Sequence, residues 1–166
     1  MDLAPLAHIT SVDSEFLHSC SLTALDFAPL ARLNRIGHGF LGHCSRLTAL
    51  NFTPLTGLTH IDDCFLYDCV GLKALNFAPL SGLTYIGAYF LQNCVGLEAL
   101  DLTPFAHLTG VTCIGDHTDG VGLSTLALGG AITRPTYKVE KHFLRGCRGL
   151  TALDLSTDIA ATQRVK

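Results

Sequence analysis

The sequence predicts an α/β repeat solenoid, a fold in which short coils of chain stack on one another. Three observations predict it: residue types recur with a period of 25, each period contains an alternating apolar segment, and a proline follows that segment. A single unit of this length cannot bury its own apolar side, whereas stacked units bury a continuous core. We therefore expect one domain that spans residues 1–166.

The period is marked by four residue types. Proline, leucine, phenylalanine and cysteine each return after 25 residues, as Pro29, Pro54, Pro79 and Pro104; Leu33, Leu58, Leu83 and Leu108; Phe40, Phe65 and Phe90; and Cys44, Cys69 and Cys94. Cys20 precedes Cys44 by 24 residues because its unit is one residue shorter. The regular repeats cover about residues 3–108.

The first half of a unit reads as a strand and a turn. In residues 47–52, Leu50 and Phe52 alternate with Asn51, which is the period of a strand with one buried face. Pro54 cannot donate a hydrogen bond to a ladder, so we expect it to end the strand and turn the chain.

The second half of a unit returns the chain to its starting side. Residues 58–61 place two apolar side chains three residues apart and are expected to form the return run on the other side of the coil. Residues 65–69 then predict a short helical or 3₁₀ turn that directs Phe65 and Cys69 into the core.

The repeat becomes irregular after Leu108. We expect a degenerate repeat at 109–138, a final repeat at 139–156 and a tail at 157–166, with the strand of the degenerate repeat returning one residue late, within residues 123–128. Its loop, residues 115–120, is either a tolerated insertion or a binding loop. Two carboxylates, Asp116 and Asp119, are too few for a calcium ion that prefers six to eight oxygen ligands.

The unit resembles the leucine-rich repeats of the BspA-like class, whose signature is Ile, Phe-x-x-x-Cys and Leu. The matching residues are Ile36, Phe40, Cys44 and Leu47; Ile61, Phe65, Cys69 and Leu72; and Ile86, Phe90, Cys94 and Leu97. The resemblance covers about residues 3–156. It implies a right-handed coil with a parallel β-sheet on the concave, ligand-facing side and short helical turns or extended segments on the convex side.

That implied concave face supplies the candidate binding residues. Alanine recurs there beside acids, amides and a few longer polar side chains; the candidates are Asp26, Thr48, Asn51, Lys73, Asn76, Glu98, Asp101 and Asp154. The face has no Trp, Tyr or Arg, the residues that usually dominate binding energy. The alternative interpretation is that Asp and Asn tie the stack together or keep it soluble.

Charge is distributed unevenly along the chain. Residues 1–133 carry 4 basic and 11 acidic side chains, whereas residues 134–166 carry 7 basic and 3 acidic ones. A basic C-terminal end of this kind favours an acidic protein surface or RNA as partner, or is merely solvated. Its candidate residues are Arg134, Lys138, Lys141, Arg145 and Arg148.

The sequence contains no constellation typical of catalysis or metal binding. The eight histidines fall at different repeat positions, as solvated side chains do, and no cysteine pair has zinc-ligand spacing. The repeated cysteines predict a buried ladder of thiols, which leaves Cys64 and Cys113 as the more exposed ones. We expect no enzymatic activity, no metal and no cofactor.

Several features bear on location and partners. No apolar run approaches the ~18 residues that span a bilayer, and the start lacks a signal peptide, so we expect an intracellular, cytoplasmic chain, with a cell-surface role left open by the resemblance. The first coil has no lid and the last has only a thin one, the tail at 158–166, which predicts end-to-end self-association, docking on a larger assembly or a longer repeat array. The function that follows is a non-enzymatic protein-interaction module; the alternative is a structural subunit of a larger, RNA-containing assembly.

Overall fold

The computed structural model describes residues 2–105, 107–108, 125–127 and 152–154, and the structural statements below concern these residues. They stack as successive coils of the chain. Coil 1 covers residues 2–21, coil 2 residues 22–46, coil 3 residues 47–71 and coil 4 residues 72–96; residues 97–108 open coil 5. The stacked arrangement confirms the solenoid that the period predicts.

Each of the first four coils contributes one two-residue strand to a parallel sheet. The strands are β1 (Ser11–Val12), β2 (Arg35–Ile36), β3 (His60–Ile61) and β4 (Tyr85–Ile86), and they pair in chain order. Val12, Ile36, Ile61 and Ile86 are in register and buried, whereas their preceding neighbours point outwards. This sheet occupies the return run of each coil.

A second parallel sheet begins in coil 5. It consists of β5 (Ala99–Asp101), β6 (Thr125–Ala127) and β7 (Ala152–Asp154), in that order. Leu100, Leu126 and Leu153 are in register. The strand expected within residues 123–128 is therefore present as β6, one residue late as the sequence indicates.

The prediction of a strand at residues 47–52, in coil 3, is wrong, because no strand forms there. Only a sparse ladder of backbone bonds joins this segment to its neighbours, with the Thr48 amide 3.3 Å from the Thr23 carbonyl oxygen and the Lys73 amide 3.4 Å from that of Thr48. The alternation still sorts the side chains correctly, since Phe52 is buried and Asn51 exposed. Equivalent residues do form a strand in β5.

Proline starts a 3₁₀ helix in each coil rather than simply ending a strand. The five helices are Ala4–Leu6, Ala28–Leu30, Thr53–Leu55, Ala78–Leu80 and Thr103–Phe105, each with proline in its first turn. Proline suits this position because the first N–H groups of a helix have no partner within the helix. The leucine or phenylalanine that ends the last four helices is buried.

The helical or 3₁₀ turn predicted at residues 65–69 is also wrong. Cys64, Leu66 and Asp68 have φ values of 61°, 56° and 57°, so the backbone alternates through the left-handed region. As a result the amides of Cys64 and Asp68 donate to coil 4, at Ala88 and Gln92, while that of Leu66 donates to Phe40 in coil 2. The turn bonds both neighbouring coils, which a helix would not do.

Two columns of phenylalanine rings form the centre of the core. Phe40, Phe65 and Phe90 stack with centroid separations of 5.8 and 5.4 Å, and Phe27, Phe52 and Phe77 with separations of 5.8 and 5.5 Å. All six side chains are buried. Stacked coils thus place the same residue type at the same depth, which confirms the inward direction expected for Phe65.

Candidate functional site

One face of the described coils is lined by alanine. Ala24, Ala49, Ala74 and Ala99 are exposed, one in each successive coil from coil 2 onward, and we call this surface the alanine face. The residue after each alanine is a leucine that is half-buried or buried, namely Leu25, Leu50, Leu75 and Leu100. Because small side chains stand over a buried row, the face is flat.

The structure brings most of the predicted binding residues to this face. Thr48, Lys73 and Glu98 lie at equivalent positions on one side of the alanines, and Asp26, Asn51, Asn76 and Asp101 on the other; all are exposed. Asp154 lies in β7, in register with Asp101 through Ala127.

The acids and amides of the alanine face have a structural task. The Oδ1 atoms of Asp26, Asn51, Asn76 and Asp101 each accept a hydrogen bond, at 2.8–3.0 Å, from the backbone N–H two residues later. That N–H belongs to the first residue of the following 3₁₀ helix, which has no partner within the helix. These side chains therefore hold the turn of their own coil rather than joining one coil to the next.

The sequence does not predict a network of polar side chains that links coils 1–4 at the turn around residues 64–68 and its equivalents. Nε2 of His18 lies 2.8 Å from the Tyr67 hydroxyl, and Nδ1 of His43 lies 3.3 Å from Oδ2 of Asp68. Asn93 donates to the other oxygen of Asp68 at 2.8 Å. Burial raises the pKa of the Tyr67 hydroxyl, and the nearby Cys64, Asp68 and Glu15 raise it further.

The expectation that all histidines are solvated is therefore wrong for His18. It is half-buried, as is His60, whereas His8, His38, His43 and His107 are exposed. The sequence holds one signal of this network: Gly42 occupies the position equivalent to His18 and Tyr67 and leaves space between them. His117 and His142 lie outside the described residues.

Three members of the predicted cysteine ladder, Cys44, Cys69 and Cys94, are buried as expected, whereas Cys20 is half-buried and Cys147 lies outside the described residues. The thiols of Cys44, Cys69 and Cys94 donate to backbone carbonyl oxygens of the preceding coil, those of Leu17, Leu41 and Leu66, at 3.1–3.2 Å. Burial raises the pKa of Cys69 to about 12 and raises that of Cys44 and Cys94 as well. Thiols held in the protonated form are poor nucleophiles and poor metal ligands.

The off-ladder Cys64 is half-buried, and burial followed by the Asp63 carboxylate raises its pKa. Among the described residues, no group of three or more His, Cys, Asp or Glu side chains is placed to hold a metal ion. No helix in that part of the chain is long and apolar enough to cross a membrane. Cys113, Asp116, Asp119 and the basic residues Arg134, Lys138, Lys141, Arg145 and Arg148 lie outside the described residues.

A family model described as the BspA type leucine rich repeat region matches this chain in six copies between residues 5 and 116. The chain belongs to the BspA-type leucine-rich repeat family. Leucine-rich repeats stack to form extended surfaces that bind other macromolecules, so membership indicates a protein-interaction module. No curated protein sequence matches the chain.

One solved structure agrees with the fold. The crystal structure of the T. pallidum leucine rich repeat protein TpLRR is 22% identical in sequence, with a TM-score of 0.65, and the match covers 88% of this chain. This chain spans 63% of that one, less than two thirds of its length. The functional domain of InlJ from Listeria monocytogenes, which includes a cysteine ladder, is 24% identical with a TM-score of 0.38, over 93% of this chain and 36% of that one.

Proposed function

We propose that this chain is a non-enzymatic protein-interaction module that binds its partner on the alanine face. The observation that carries the proposal is the continuous row of exposed Ala24, Ala49, Ala74 and Ala99. Small side chains allow the backbone of a partner to approach closely, and the row extends over several coils without interruption. The partner is a protein surface rather than a small molecule, because a flat face cannot enclose a small ligand.

The polar side chains at the edges of the alanine face indicate which kind of partner fits it. Asp26, Glu98 and Asp101 are acidic, and Lys73 is the one basic side chain among the described candidates. Asp26 and Asp101 are held by their turns, so they lose little conformational entropy when a partner binds. A partner with basic or amide side chains matches this margin.

The experiment that tests the proposal is a paired capture of partners from native lysate. Ala49→Arg with Ala74→Arg places two bulky cations on the alanine face, so we expect it to lose the partner that the unmodified chain captures. Thr56→Arg with Ser81→Arg is the matched control, because it adds the same charge at two equivalent exposed positions elsewhere on the same coils. Equal capture by both variants would contradict binding on the alanine face.

A second candidate function rests on the charge distribution. Seven of the eleven basic side chains fall within residues 134–166, which favours a structural subunit that contacts RNA or an acidic protein. Nuclease treatment of the same lysate separates the two functions. Partners lost with nuclease support the RNA-containing assembly, and partners retained support the protein-interaction module.

A further inference from the structure

A second surface lies on the outer side of β1–β4, away from the alanine face. The strands place Ser11, Arg35, His60 and Tyr85 in one outward row. The residues that follow each strand extend the same surface. The amide of Glu15 donates to the carbonyl oxygen of His38, and that of Cys64 donates to the carbonyl oxygen of Ala88, so these segments of neighbouring coils lie side by side. We call this surface, formed by residues 11–15, 35–39, 60–64 and 85–89, the acidic shoulder.

Two glycines of coil 2 lie against Asp13 and Glu15 of coil 1. A Cβ on Gly37 would lie 2.7 Å from the backbone carbon of Asp13, and one on Gly39 would lie 3.5 Å from Cγ of Glu15. Coil 2 therefore presents no side chain over either acid at these two positions. Asp13 and Glu15 are both exposed.

The shoulder carries four carboxylates and one fixed cation. The acidic side chains are Asp13, Glu15, Asp62 and Asp63. The cation is Arg35, whose Nη2 atom lies 2.7 Å from Oδ2 of Asp62. The Arg35 charge is thereby satisfied within the surface. Because Arg35 balances the charge of Asp62, the other three carboxylates leave the shoulder with a net negative charge.

Exposed tyrosines lie at the coil 4 end of the shoulder. Tyr85 is 45% exposed and Tyr89 40% exposed, and these are two of the three exposed large apolar side chains in the described part of the chain. The Tyr85 ring stacks on His60 with centroids 5.8 Å apart. Carboxylates beside aromatic faces suit a ligand rich in Arg and Lys, which forms ion pairs with the acids and cation–π contacts with the rings.

The chain itself carries a segment of that chemistry. Residues 134–148 contain five basic side chains and one acidic one, a net charge of +4, whereas residues 2–108 contain nine acidic and four basic ones, a net charge of −5. In the sequence the segment follows β6 and precedes β7, whereas the acidic shoulder belongs to coils 1–4. A second copy can therefore offer this segment to the shoulder of the first.

We propose that residues 134–148 of one copy dock on the acidic shoulder of another, so that the chain self-associates head to tail. This contact is heterologous, since it joins two different surfaces of the same chain, and its strength depends on salt because it is formed mainly by exposed charges. It does not involve the alanine face, which stays open for the partner proposed above.

Sedimentation velocity of the full chain over a concentration series tests the proposal. At low ionic strength we expect the average mass to rise above 17.7 kDa with concentration, and to return to that of a monomer at about 0.5 M salt, where the Debye length falls to a few ångströms. A chain that stays monomeric at low salt, or an association that salt leaves unchanged, would overturn the proposal.

Matched variants locate the surface. Asp13→Asn with Glu15→Gln should weaken association by about tenfold or more, since both exposed carboxylates are lost. Ala24→Lys with Ala49→Lys shifts the net charge by the same two units on the alanine face and should weaken it much less. An equal effect of the two pairs would show that net charge, not the shoulder, governs association.

A charge exchange gives the sharpest outcome. Asp13→Lys with Glu15→Lys, and separately Arg145→Glu with Arg148→Glu, should each abolish self-association. Mixing the two variants should restore it, because the Arg145→Glu, Arg148→Glu variant keeps the acidic shoulder and the Asp13→Lys, Glu15→Lys variant keeps the basic segment that docks on it. Failure of the mixture to associate, with both variants folded by circular dichroism, would refute the docking. The result is independent of partner capture on the alanine face.

Discussion

The ring of Tyr67 lies over Gly42 and places its hydroxyl 2.8 Å from Nε2 of His18, two coils away. A Cβ on Gly42 would lie 2.7 Å from Cδ1 of Tyr67 and 3.0 Å from Cδ2 of His18. The absent side chain in coil 2 is therefore what allows coils 1 and 3 to bond across it.

Gly42→Ala should accordingly destabilise the chain by about 1–3 kcal/mol, the usual cost of overpacking a filled site. The Gly42 backbone lies outside the left-handed region, so the cost arises from the collision rather than from strain. Urea unfolding in a double-mutant cycle with Tyr67→Ala checks this, because removal of the ring should abolish most of the cost. A cost that persists without the ring would contradict the contact.

Phe65→Ala should destabilise the chain by about 3–5 kcal/mol, because it empties a buried aromatic site between two stacked rings. Phe40 and Phe90 lie 5.8 and 5.4 Å from the Phe65 ring centroid and are held by their own coils. Tyr85→Ala, at an exposed aromatic, is the control and should cost far less. A loss under about 1 kcal/mol for Phe65→Ala in denaturant melts would show that the core assignment is wrong.

The sequence predicts burial better than it predicts hydrogen bonding. Phe65 and Cys69 recur with the period, and repetition forces equivalent residues to the same depth, so their inward direction is predictable. The alternation around Asn51 records which side chains are buried, but a strand also needs a complete ladder, and coil 3 lacks one. The sheet forms instead at His60–Ile61.

Neither the turn at residues 64–68 nor the polar network around His18 could be predicted from the sequence, and the two reasons differ. Leu66 and Asp68 adopt positive φ without being glycine, so their types do not reveal the conformation that inter-coil hydrogen bonds impose. The bond between His18 and Tyr67 joins residues 49 positions apart at one variable repeat position. The alanine face, by contrast, could be predicted because its side chains repeat every coil.

Thiol labelling of the native chain should distinguish the ladder from the remaining cysteines. Cys44, Cys69 and Cys94 are buried and should react only after unfolding, whereas the half-buried Cys64 should react faster. Peptide mapping after a short exposure to a maleimide reports each site separately. Rapid modification of Cys69 in the folded chain would refute the buried ladder.

The same ladder predicts a loss of stability in alkali. The pKa of Cys69 is about 12 in the folded chain against an ordinary value of 9.0, because burial disfavours the thiolate. A raised folded pKa contributes stability that is complete below about pH 9 and is lost as pH rises towards 12. Urea melts between about pH 7 and 10 should show this decline, and Cys69→Ala should reduce it. A pH-independent stability across that range would contradict it.

Asn51→Ala should destabilise the chain by roughly 0.5–1.5 kcal/mol, since it removes the side-chain oxygen that accepts a hydrogen bond from the Thr53 amide at the start of the following 3₁₀ helix. Asn51→Asp retains an oxygen at the same place and should preserve most of the stability. Thermal melts of both variants compare the two directly. Equal losses would show that the hydrogen bond from the Thr53 amide does not stabilise the turn.

Hydrogen exchange of the chain with and without its captured partner tests the central claim most directly, because it reports which surface the partner covers. Bound partner should slow exchange at the segments that carry the alanine face, residues 22–26, 47–51 and 72–76, and leave residues 11–15 and 60–64 of the acidic shoulder unchanged. Slower exchange confined to the acidic shoulder, with the alanine-face segments unchanged, would contradict the account.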